Sequence, residues 1–314
     1  MGDPRVRNVD GFTTVQHHTV PEYLHPGQGR LPDGYTACII GASAGIGEHI
    51  AYAFATAHAS TIILCARNTS KLDRVADHIT STICSNYAKK PIINIHECDL
   101  ADTASVEALA AYIQSDVLEK GGRLDAMIPN ASYAPPIEGM KVTENSPELV
   151  RKAFDTNFLG VYAIAHHFVP ILLESRNQKG GAGHFFVIGS IAGSITKGII
   201  ANTGYTISKM AQTRLVEYIA VQYGKEGILA VTIHPGSVLT DMAIGNTPEG
   251  FMPYLIDEVG LCGAVVTWLA GMKREEVDWL GGRMISANWD MKELMEKREA
   301  IVEKDLLKFE MITR

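Results

Sequence analysis

The chain has 314 residues, of which 46% are apolar and 20% charged, a composition typical of folded globular proteins that excludes a largely disordered chain. Its net charge of -7 argues against nucleic-acid binding, because no segment concentrates the lysine and arginine that phosphate neutralisation requires. The five cysteines are scattered and odd in number, so they predict buried thiols in a reducing compartment rather than a disulfide framework.

Targeting signals are weak in this sequence. No apolar run reaches the roughly 18 residues of a membrane span, and the N-terminal segment lacks the apolar core of a signal peptide. Gly2 fits a myristoylation signal only in part, because Val6 stands where Ser or Thr is required. We therefore expect a cytoplasmic protein with no membrane partner.

Residues 1–34 contain prolines, glycines and paired histidines without sustained periodicity, which predicts an irregular N-terminal arm. Two interpretations stay open for this arm. It is disordered, as chain termini often are, or it lies over the domain or over a neighbouring subunit. The second interpretation is as well supported as the first, because the arm carries the apolar side chains of Phe12, Val20, Tyr23 and Leu24.

From Tyr35 onward, apolar runs of strand length alternate with amphipathic stretches of helical length. Such continuous runs are typical of strands buried on both faces of a parallel sheet. The predicted strands are YTACII, STIILC, PIINIH, LDAMIP, HFFVIG, ILAVTIH and RMISA. The alternation predicts an α/β fold in a single domain over residues 35–290, a doubly wound parallel sheet of about seven strands with helices on both faces.

Helix signals fill the intervening stretches. Apolar residues recur with helical spacing over residues 72–79 and 106–113, the second run behind Thr103 as a predicted N-cap. Ser146 followed by Pro147 predicts the start of another helix. The charged residues 291–314 predict a C-terminal surface helix.

The first predicted strand leads into a glycine-rich turn, IGASAGIGEHIAYAF, with Gly41, Gly45 and Gly47 ahead of a helix. In such a turn the backbone N–H groups and the helix N-terminus face an anion, and glycine lets a pyrophosphate approach closely. It is not a P-loop, because no Lys-Ser/Thr pair follows the last glycine. The strand-turn-helix context favours a nucleotide site over a turn whose glycines serve packing alone.

The second predicted strand ends at Arg67. An acidic residue here would bind the adenosine ribose 2′-hydroxyl, whereas an arginine can bind a 2′-phosphate. Ala66 and Arg67 provide no carboxylate, so NADP(H) is favoured over NAD(H). The alternative is a solvent-exposed arginine that opens the next loop.

Tyr205 and Lys209 lie on one face of a predicted helix in NTGYTISKMAQ. A nearby ammonium stabilises a phenolate and lowers the tyrosine pKa from its usual value of about 10. The pair predicts a proton donor that works near neutral pH, although Tyr-x-x-x-Lys by itself also occurs as a surface pair.

Further motifs follow one another along the chain: GASAGIG, CDL, PNAS, NFLG, IGSIAG, YTISK and HPGSVLT. In this order and spacing they resemble the motifs of the short-chain dehydrogenase/reductase family over residues 35–289. The arm and the ending WLGGRMISANWD further resemble a branch of this family that is common in filamentous fungi and often associated with secondary metabolism. The resemblance implies a Rossmann-type fold and hydride transfer between a nicotinamide cofactor and a carbonyl or alcohol group.

The resemblance also implies the roles of four residues. Tyr205 matches the acid that gives its proton to the substrate carbonyl oxygen, and Ser190 matches the serine that hydrogen-bonds this oxygen. Lys209 matches the lysine that binds the nicotinamide ribose and lowers the tyrosine pKa. Asn157 matches the asparagine whose backbone carbonyl holds a water of the proton relay.

Cofactor contacts are implied in the same way. The positions that match the pyrophosphate turn are Gly41, Ser43, Gly45, Ile46 and Gly47. Those that match the adenine contact, the adenosine ribose segment and the carboxamide anchors are Asp99, Asn130, Val238 and Thr240. Arg67 matches an arginine of many NADP-preferring members, although Ala44 stands where many of them carry a second basic residue.

The stretch TDMAIGNTPEGFMPYLIDEVG follows the carboxamide-binding turn without a clear period. We interpret it as a substrate lid, the alternative being a surface loop with core anchors. The residues expected to form an apolar pocket wall are Met242, Phe251, Met252, Pro253 and Tyr254. A lid of this composition predicts an apolar or aromatic substrate.

The helices predicted around Asn157 and Tyr205 hold more apolar residues than one buried stripe needs. This excess fits a helix core, but in relatives these helices form the subunit interface, so we expect a homodimer or homotetramer. The paired histidines have no metal-ligand spacing, which predicts no metal site.

The favoured function is NADPH-dependent reduction of a ketone or aldehyde of an apolar or aromatic small molecule, such as a secondary metabolite, to an alcohol. The alternatives are an NAD-dependent secondary-alcohol dehydrogenase and a non-redox binding protein on the same fold. The presence of Ser190, Tyr205, Lys209 and Asn157 together favours the redox interpretations, because a binding protein needs no such set.

Overall fold

The computed structural model describes residues 11–311 except Arg30, residues 137–140 and Ala201. Within this part of the chain, seven parallel strands form one sheet in the order β3-β2-β1-β4-β5-β6-β7. The strands are β1 Thr36–Ile40, β2 Thr61–Ala66, β3 Ile92–Glu97, β4 Ala126–Pro129, β5 His184–Ile188, β6 Leu229–His234 and β7 Met284–Ser286. The predicted doubly wound parallel sheet is confirmed, and the strand order reverses between β1 and β4.

The helices connect successive strands and cover both faces of the sheet. They are α1 Gly45–Thr56, α2 Thr69–His78, α3 Thr103–Tyr112, α4 Pro147–Phe154, α5 Gly160–Lys179, α6 Thr203–Tyr223, α7 Asp241–Asn246, α8 Gly260–Gly271, α9 Arg274–Val277, α10 Met291–Glu296 and α11 Arg298–Glu303. Turns of π-helix occur at Ile79–Ile83, Ile113–Leu118 and Asp155–Leu159. Short 3-10 turns occur at Glu22–Leu24, Pro26–Gln28, Val142–Glu144, Ile191–Ser194, Gly224–Glu226, Glu249–Tyr254 and Asp278–Leu280.

Two hydrophobic cores lie on the two faces of the sheet. Alternate residues of a strand point to opposite faces, so Ile39 joins the core beneath α1, α2 and α8, whereas Cys38 and Ile40 join the core beneath α3, α5 and α6. This division explains why the strands read as continuous apolar runs. All five cysteines are buried free thiols, as predicted.

The helix starts agree with the sequence signals in one case and differ in another. The Ser146 side chain accepts a hydrogen bond from Glu148 N at 3.2 Å and caps α4, as predicted. Thr103, the predicted cap of α3, is instead its first helical residue. Asp102 caps this helix by accepting from Ala104 N at 3.0 Å, because its backbone is still extended.

Among the described residues, one helical stretch, Pro147–Lys179, contains an 18-residue window with a mean hydropathy of 1.3, which is long and apolar enough to span a membrane by length and composition. Half of that window is buried inside the protein. Val161, Ile164 and Phe168 on this stretch are fully buried in the core on the sheet. Its apolar character is therefore that of a core helix.

The described residues of the N-terminal arm and of the C-terminal segment lie over the domain. In the arm, the Phe12 and Trp289 rings are 4.7 Å apart, and Gln16 pairs with Trp289 in an antiparallel bridge. The interpretation of the arm as a cover over the domain therefore holds for its described residues, and the rest of the prediction lies outside them.

The predicted C-terminal surface helix over 291–314 is instead two short helices, α10 and α11. Lys297 ends the first of them, and the side chains of Met291, Leu294 and Ile301 are buried rather than exposed. The segment after α11 covers β7, where Met284 N donates to Leu307 O at 2.9 Å. Residues 312–314 lie outside the described part of the chain.

Candidate active site

A cleft of about 720 Å³ opens at the carboxyl ends of the central strands, where the strand order reverses. This is the position at which open α/β sheets bind ligands. The predicted cofactor residues that line it are Gly41, Ser43, Gly45, Ile46, Arg67, Asp99, Asn130, Tyr205, Lys209 and Thr240. The fold therefore brings ten of the predicted cofactor residues together at one cleft.

The glycine-rich turn leads from β1 into α1 at the middle of the cleft. Gly41 has a φ of +86°, which favours glycine. Gly47 lies behind the cleft, where an added Cβ would overlap the Gly41 carbonyl oxygen. Asn130 Nδ2 donates to the same oxygen at 3.1 Å. Helix α1 can therefore start close against the strand, with its N-terminal N–H groups at the cleft.

One end of the cleft is basic. Arg67 is exposed there, and Lys71 and Arg74 follow it along α2. Arg74 Nη2 is paired with Glu48 Oε2 at 2.8 Å, whereas the structure assigns no such ion pair to Lys71 among the described residues. The position of Lys71 in the first turn of the helix that follows Arg67 is the signal that could have identified it. Lys71 is thus a second basic side chain at this end of the cleft, where Ala44 provides none.

Tyr205 stands at the other end of the cleft, on the first turn of α6. Its backbone N–H donates to Asn202 Oδ1 at 3.1 Å, so the helix cap also fixes this residue. Ser190 lies at the end of β5, and its Oγ accepts from Ala192 N at 3.1 Å. Burial raises the pKa of Tyr205, and hydrogen bonds with Ser190 and Ser132 act in the opposite direction.

Lys209 is buried one helical turn after Tyr205, with Nζ 5.9 Å from the centre of the Tyr205 ring. Its Nζ donates to Ile188 O and to Gln212 Oε1, both at 3.1 Å. Burial lowers the pKa of Lys209 to about 7. The sequence predicted a lowered tyrosine pKa; the direction here is opposite, because burial outweighs the hydrogen bonds of Tyr205 with Ser190 and Ser132.

Asn157 lies behind the cleft, fully buried on the π turn between α4 and α5. Its Oδ1 accepts from Ser132 Oγ at 2.9 Å and from Tyr133 N at 2.8 Å. Its Nδ2 donates to Tyr133 O at 2.8 Å and to Ser208 Oγ at 3.0 Å. The side chain thus ties the segment after β4 to α6. Sequence reasoning missed Ser132, although the PNAS motif contains it.

A smaller pocket of about 180 Å³ adjoins the cleft. Tyr205 lines both spaces, and Ser190 and Val238 line the pocket. The apolar side chains around it include Ala134, Pro135, Ile191, Ile200, Met242, Phe251 and Leu255. Met242 and Phe251 were predicted here, whereas Pro253 and Tyr254 are exposed and Met252 does not line this pocket. The 3-10 turn at Glu249–Tyr254 places Phe251 at the pocket and Pro253 and Tyr254 in solvent.

His234 also lines this pocket. Its Nδ1 is buried and has no hydrogen-bond partner among the described residues. Burial lowers the pKa of His234 to about 4, although the Asp257 charge opposes this change. The imidazole is therefore neutral near pH 7. No group of three or more His, Cys, Asp or Glu that could hold a metal occurs in the described ranges.

Comparisons with known proteins show the family to which the chain belongs. Residues 35–249 match the model of the family described as short chain dehydrogenase. The chain is 35% identical to the short chain dehydrogenase pgmD of Aspergillus terreus, over 96% of this chain and 94% of that protein. The family resemblance and its fungal, secondary-metabolism-associated branch are thus confirmed.

Solved structures share the fold. A putative short chain dehydrogenase from Shigella flexneri complexed with NADP has a TM-score of 0.67 and 24% identity, over 83% of this chain and 99% of that chain. A 7 alpha-hydroxysteroid dehydrogenase complexed with NADH and 7-oxo glycochenodeoxycholic acid has a TM-score of 0.67 and 24% identity, over 86% and 97% of the two chains. The chain belongs to the short-chain dehydrogenase/reductase family, whose members are oxidoreductases that act on small molecules with a nicotinamide cofactor.

Proposed function

We propose that this protein reduces a ketone or aldehyde of an apolar or aromatic small molecule to an alcohol, with NADPH as the cofactor. The observation that carries the proposal is the position of Tyr205. This residue lines both the large cleft and the smaller apolar pocket, and it is hydrogen-bonded with Ser190. A proton donor at such a junction can serve a substrate in the pocket beside a cofactor in the cleft.

The residues of the cleft fit a nicotinamide dinucleotide. The glycine turn and the N-terminus of α1 would hold the pyrophosphate, with Asp99 and Asn130 at the adenosine side and Val238 and Thr240 at the carboxamide. Arg67 and Lys71 would hold a 2′-phosphate. Bound there, the cofactor supplies the hydride.

The chain's own residues handle the proton. Tyr205 donates it to the carbonyl oxygen, which Ser190 also contacts by a hydrogen bond. Lys209 then stabilises the phenolate through its charge, and ribose hydroxyls that accept from Nζ would favour the charged form. Asn157 fixes Ser132 and Ser208 beside these groups and would hold the relay water through its backbone carbonyl.

The preference for NADPH rests on the basic end of the cleft. The similar solved structures are complexed with NADP in one case and NADH in another, so their names favour neither cofactor. Two basic side chains without a carboxylate at the end of β2 favour the phosphorylated form. An apolar pocket in turn favours an apolar or aromatic substrate, in keeping with a secondary metabolite.

We further infer a cytoplasmic homo-oligomer with an arm, a catalytic domain and a C-terminal segment. Exposed apolar side chains on the outer side of α5, of the π turn before it and of α6 support the assembly, among them Leu159, Tyr162, Ile207, Met210, Tyr218 and Val221. The five buried free thiols support a reducing compartment.

The function is tested with NADPH that carries deuterium at both C4 positions. The enzyme is incubated with a panel of aromatic and aliphatic ketones, and mass spectrometry detects alcohols that contain deuterium. We expect labelled alcohol with the wild type and a loss of kcat/KM of at least about a hundredfold in Tyr205→Phe, because a general acid contributes this much or more.

The binding of NADPH serves as the control, measured by nucleotide fluorescence. Tyr205→Phe should bind NADPH with nearly wild-type affinity, so that its defect lies in chemistry. Turnover of Tyr205→Phe close to wild type would contradict the assigned role. Activity only with alcohols and NAD+ would instead support the alternative dehydrogenase.

A further inference from the structure

The predicted lid leaves and rejoins the domain at one place, which we call the neck and define as Ser237, Val238, Asp257 and Glu258. Asp257 N donates to Ser237 O at 3.1 Å, and Val238 and Asp257 form a parallel bridge. The Asp257 carboxylate also accepts from Ser237 N through Oδ2. These bonds close the base of the lid, so its position depends on the neck.

The neck borders both spaces of the candidate active site. Val238 lines the apolar pocket, and Val259, directly after the neck, lines the cofactor cleft. Gly236 has a φ of +95°, and an added Cβ would lie 2.7 Å from Asp257 Oδ2. The Asp257 carboxylate therefore packs closely against the turn that carries Val238 and holds this turn by accepting from Ser237 N.

The N-terminal arm fixes the outer side of the neck. His18 Nδ1 lies 2.6 Å from Asp257 Oδ1, and this carboxylate is nearly fully buried. Glu258 N donates to His18 O at 2.7 Å, and Val20 N donates to Glu258 Oε2 at 2.8 Å. One carboxylate oxygen of Asp257 thus serves the turn and the other serves the arm.

We propose that His18 is a positioning residue of the active site. It donates to Asp257, Asp257 holds Ser237 and Val238, and these hold the nicotinamide side of the cleft and the base of the lid. The arm thereby contributes to the affinity for cofactor and substrate without touching either. The effect on substrate affinity rests on the proposed function, because its measurement needs a reducible substrate. The effect on the neck can be measured by hydrogen-deuterium exchange without turnover.

His17 provides a matched control, because adjacent arm residues have different partners. His17 Nε2 lies 3.0 Å from Asp290 Oδ2, and Asn288 Nδ2 donates to His17 O at 3.0 Å. These contacts attach the arm to the segment after β7 rather than to the neck. Loss of the His17 side chain therefore weakens the arm's attachment but leaves the bonds of Asp257 in place.

The experiment compares His18→Ala, His18→Asn and His17→Ala in the full-length protein. We expect His18→Ala to raise the Kd for NADPH and the KM for a reducible ketone by about tenfold, with kcat within about threefold, because a hydrogen bond to a buried charge is lost. His18→Asn keeps a donor near Nδ1 and should restore most of this affinity. His17→Ala should change Kd and KM by less than about twofold.

Hydrogen-deuterium exchange gives the second readout. Amides of residues 236–258 should exchange about tenfold faster in His18→Ala than in His17→Ala, with thermal denaturation showing that all variants fold. Equal exchange and equal affinities in the two alanine variants would overturn the proposal. If the wild type reduced no carbonyl, the proposed function would fail, whereas the exchange comparison would still test the neck.

Discussion

Lys209 shows how a single side chain depends on its immediate partners. It is 1% exposed, and its ammonium is held by one backbone oxygen, from Ile188, and one amide oxygen, from Gln212. Burial disfavours the charged form of a lysine, whereas acceptors favour it. Gln212 therefore works against the burial that lowers the pKa of Lys209. Its own Nε2 has no partner among the described residues.

The variant Gln212→Leu tests this balance. Loss of the acceptor should lower the pKa of Lys209 below its value of about 7, so the lysine is charged only at lower pH. The alkaline limb of the reductive kcat profile should then move to lower pH, with a loss of about tenfold at pH 8. Gln212→Glu keeps an acceptor and should move that limb to higher pH. Identical profiles in the two variants would contradict this role.

Arg67 is the residue on which the proposed preference for NADPH depends most. In Arg67→Ala we expect the Kd for NADPH to rise about 10- to 100-fold, because charge-assisted hydrogen bonds to a phosphate are lost. The Kd for NADH should stay nearly constant, which makes it the internal control. Calorimetric titration measures both. A proportional loss for both nucleotides would show that Arg67 does not recognise the 2′-phosphate.

At the scale of elements, α6 serves the active site with one side and presents an apolar stripe with the other. Tyr205, Lys209 and Gln212 face inward, whereas Tyr218 and Val221 are 59% and 78% exposed. Exposed apolar surface of this extent is typical of contacts between subunits. The same helix would then connect the catalytic residues with the interface of the proposed oligomer.

The double variant Tyr218→Asp/Val221→Asp should dissociate this oligomer, because it places two charges in an apolar interface. Size-exclusion chromatography with light scattering measures the mass. Val142→Asp changes a side chain that is 74% exposed outside α6 and should leave the mass unchanged. Equal masses for the double variant and the wild type would exclude this face as the interface.

On the scale of the whole molecule, buried histidines link the fold to pH. His184 on β5 is buried, and its Nδ1 lies 2.9 Å from the Tyr35 hydroxyl. Burial, with smaller effects of Arg274 and Arg176, lowers the pKa of His184 to about 3. The native protein therefore binds this proton only in strong acid, whereas the unfolded chain binds it below about pH 6.5.

Unfolding thus takes up a proton between about pH 6.5 and pH 3, and stability falls as the pH falls through this window. From His184 we expect a loss of roughly 2 kcal/mol in the free energy of unfolding between pH 7.5 and pH 5. His234 adds a loss of the same sign, because its pKa is also lowered by burial. Urea denaturation measures the change. The side chain in His184→Gln cannot titrate, so this variant should lose less free energy of unfolding between pH 7.5 and pH 5. A loss equal to that of the wild type would show that His184 is not its source.

The sequence by itself determined the sheet, its strands and the order of the motifs. Strands buried on both faces must be apolar throughout, and the turn after β1 requires glycine at Gly41, so both features are visible in the residue pattern. Local signals also identified the cap at Ser146 and the pair of Tyr205 and Lys209. Local signals misplaced the cap of α3, because Asp102 and Thr103 are both polar and stand side by side.

Only the tertiary structure decided features that depend on burial and on contacts between distant segments. The pKa directions of Tyr205 and Lys209 follow from desolvation, which no spacing reveals. The 3-10 turn of the lid decided that Phe251 faces the pocket and Tyr254 faces solvent. The contact of His18 with Asp257 joins residues 239 positions apart. Such contacts depend on how distant segments pack together in the folded chain. No local pattern of residues in the sequence identifies them.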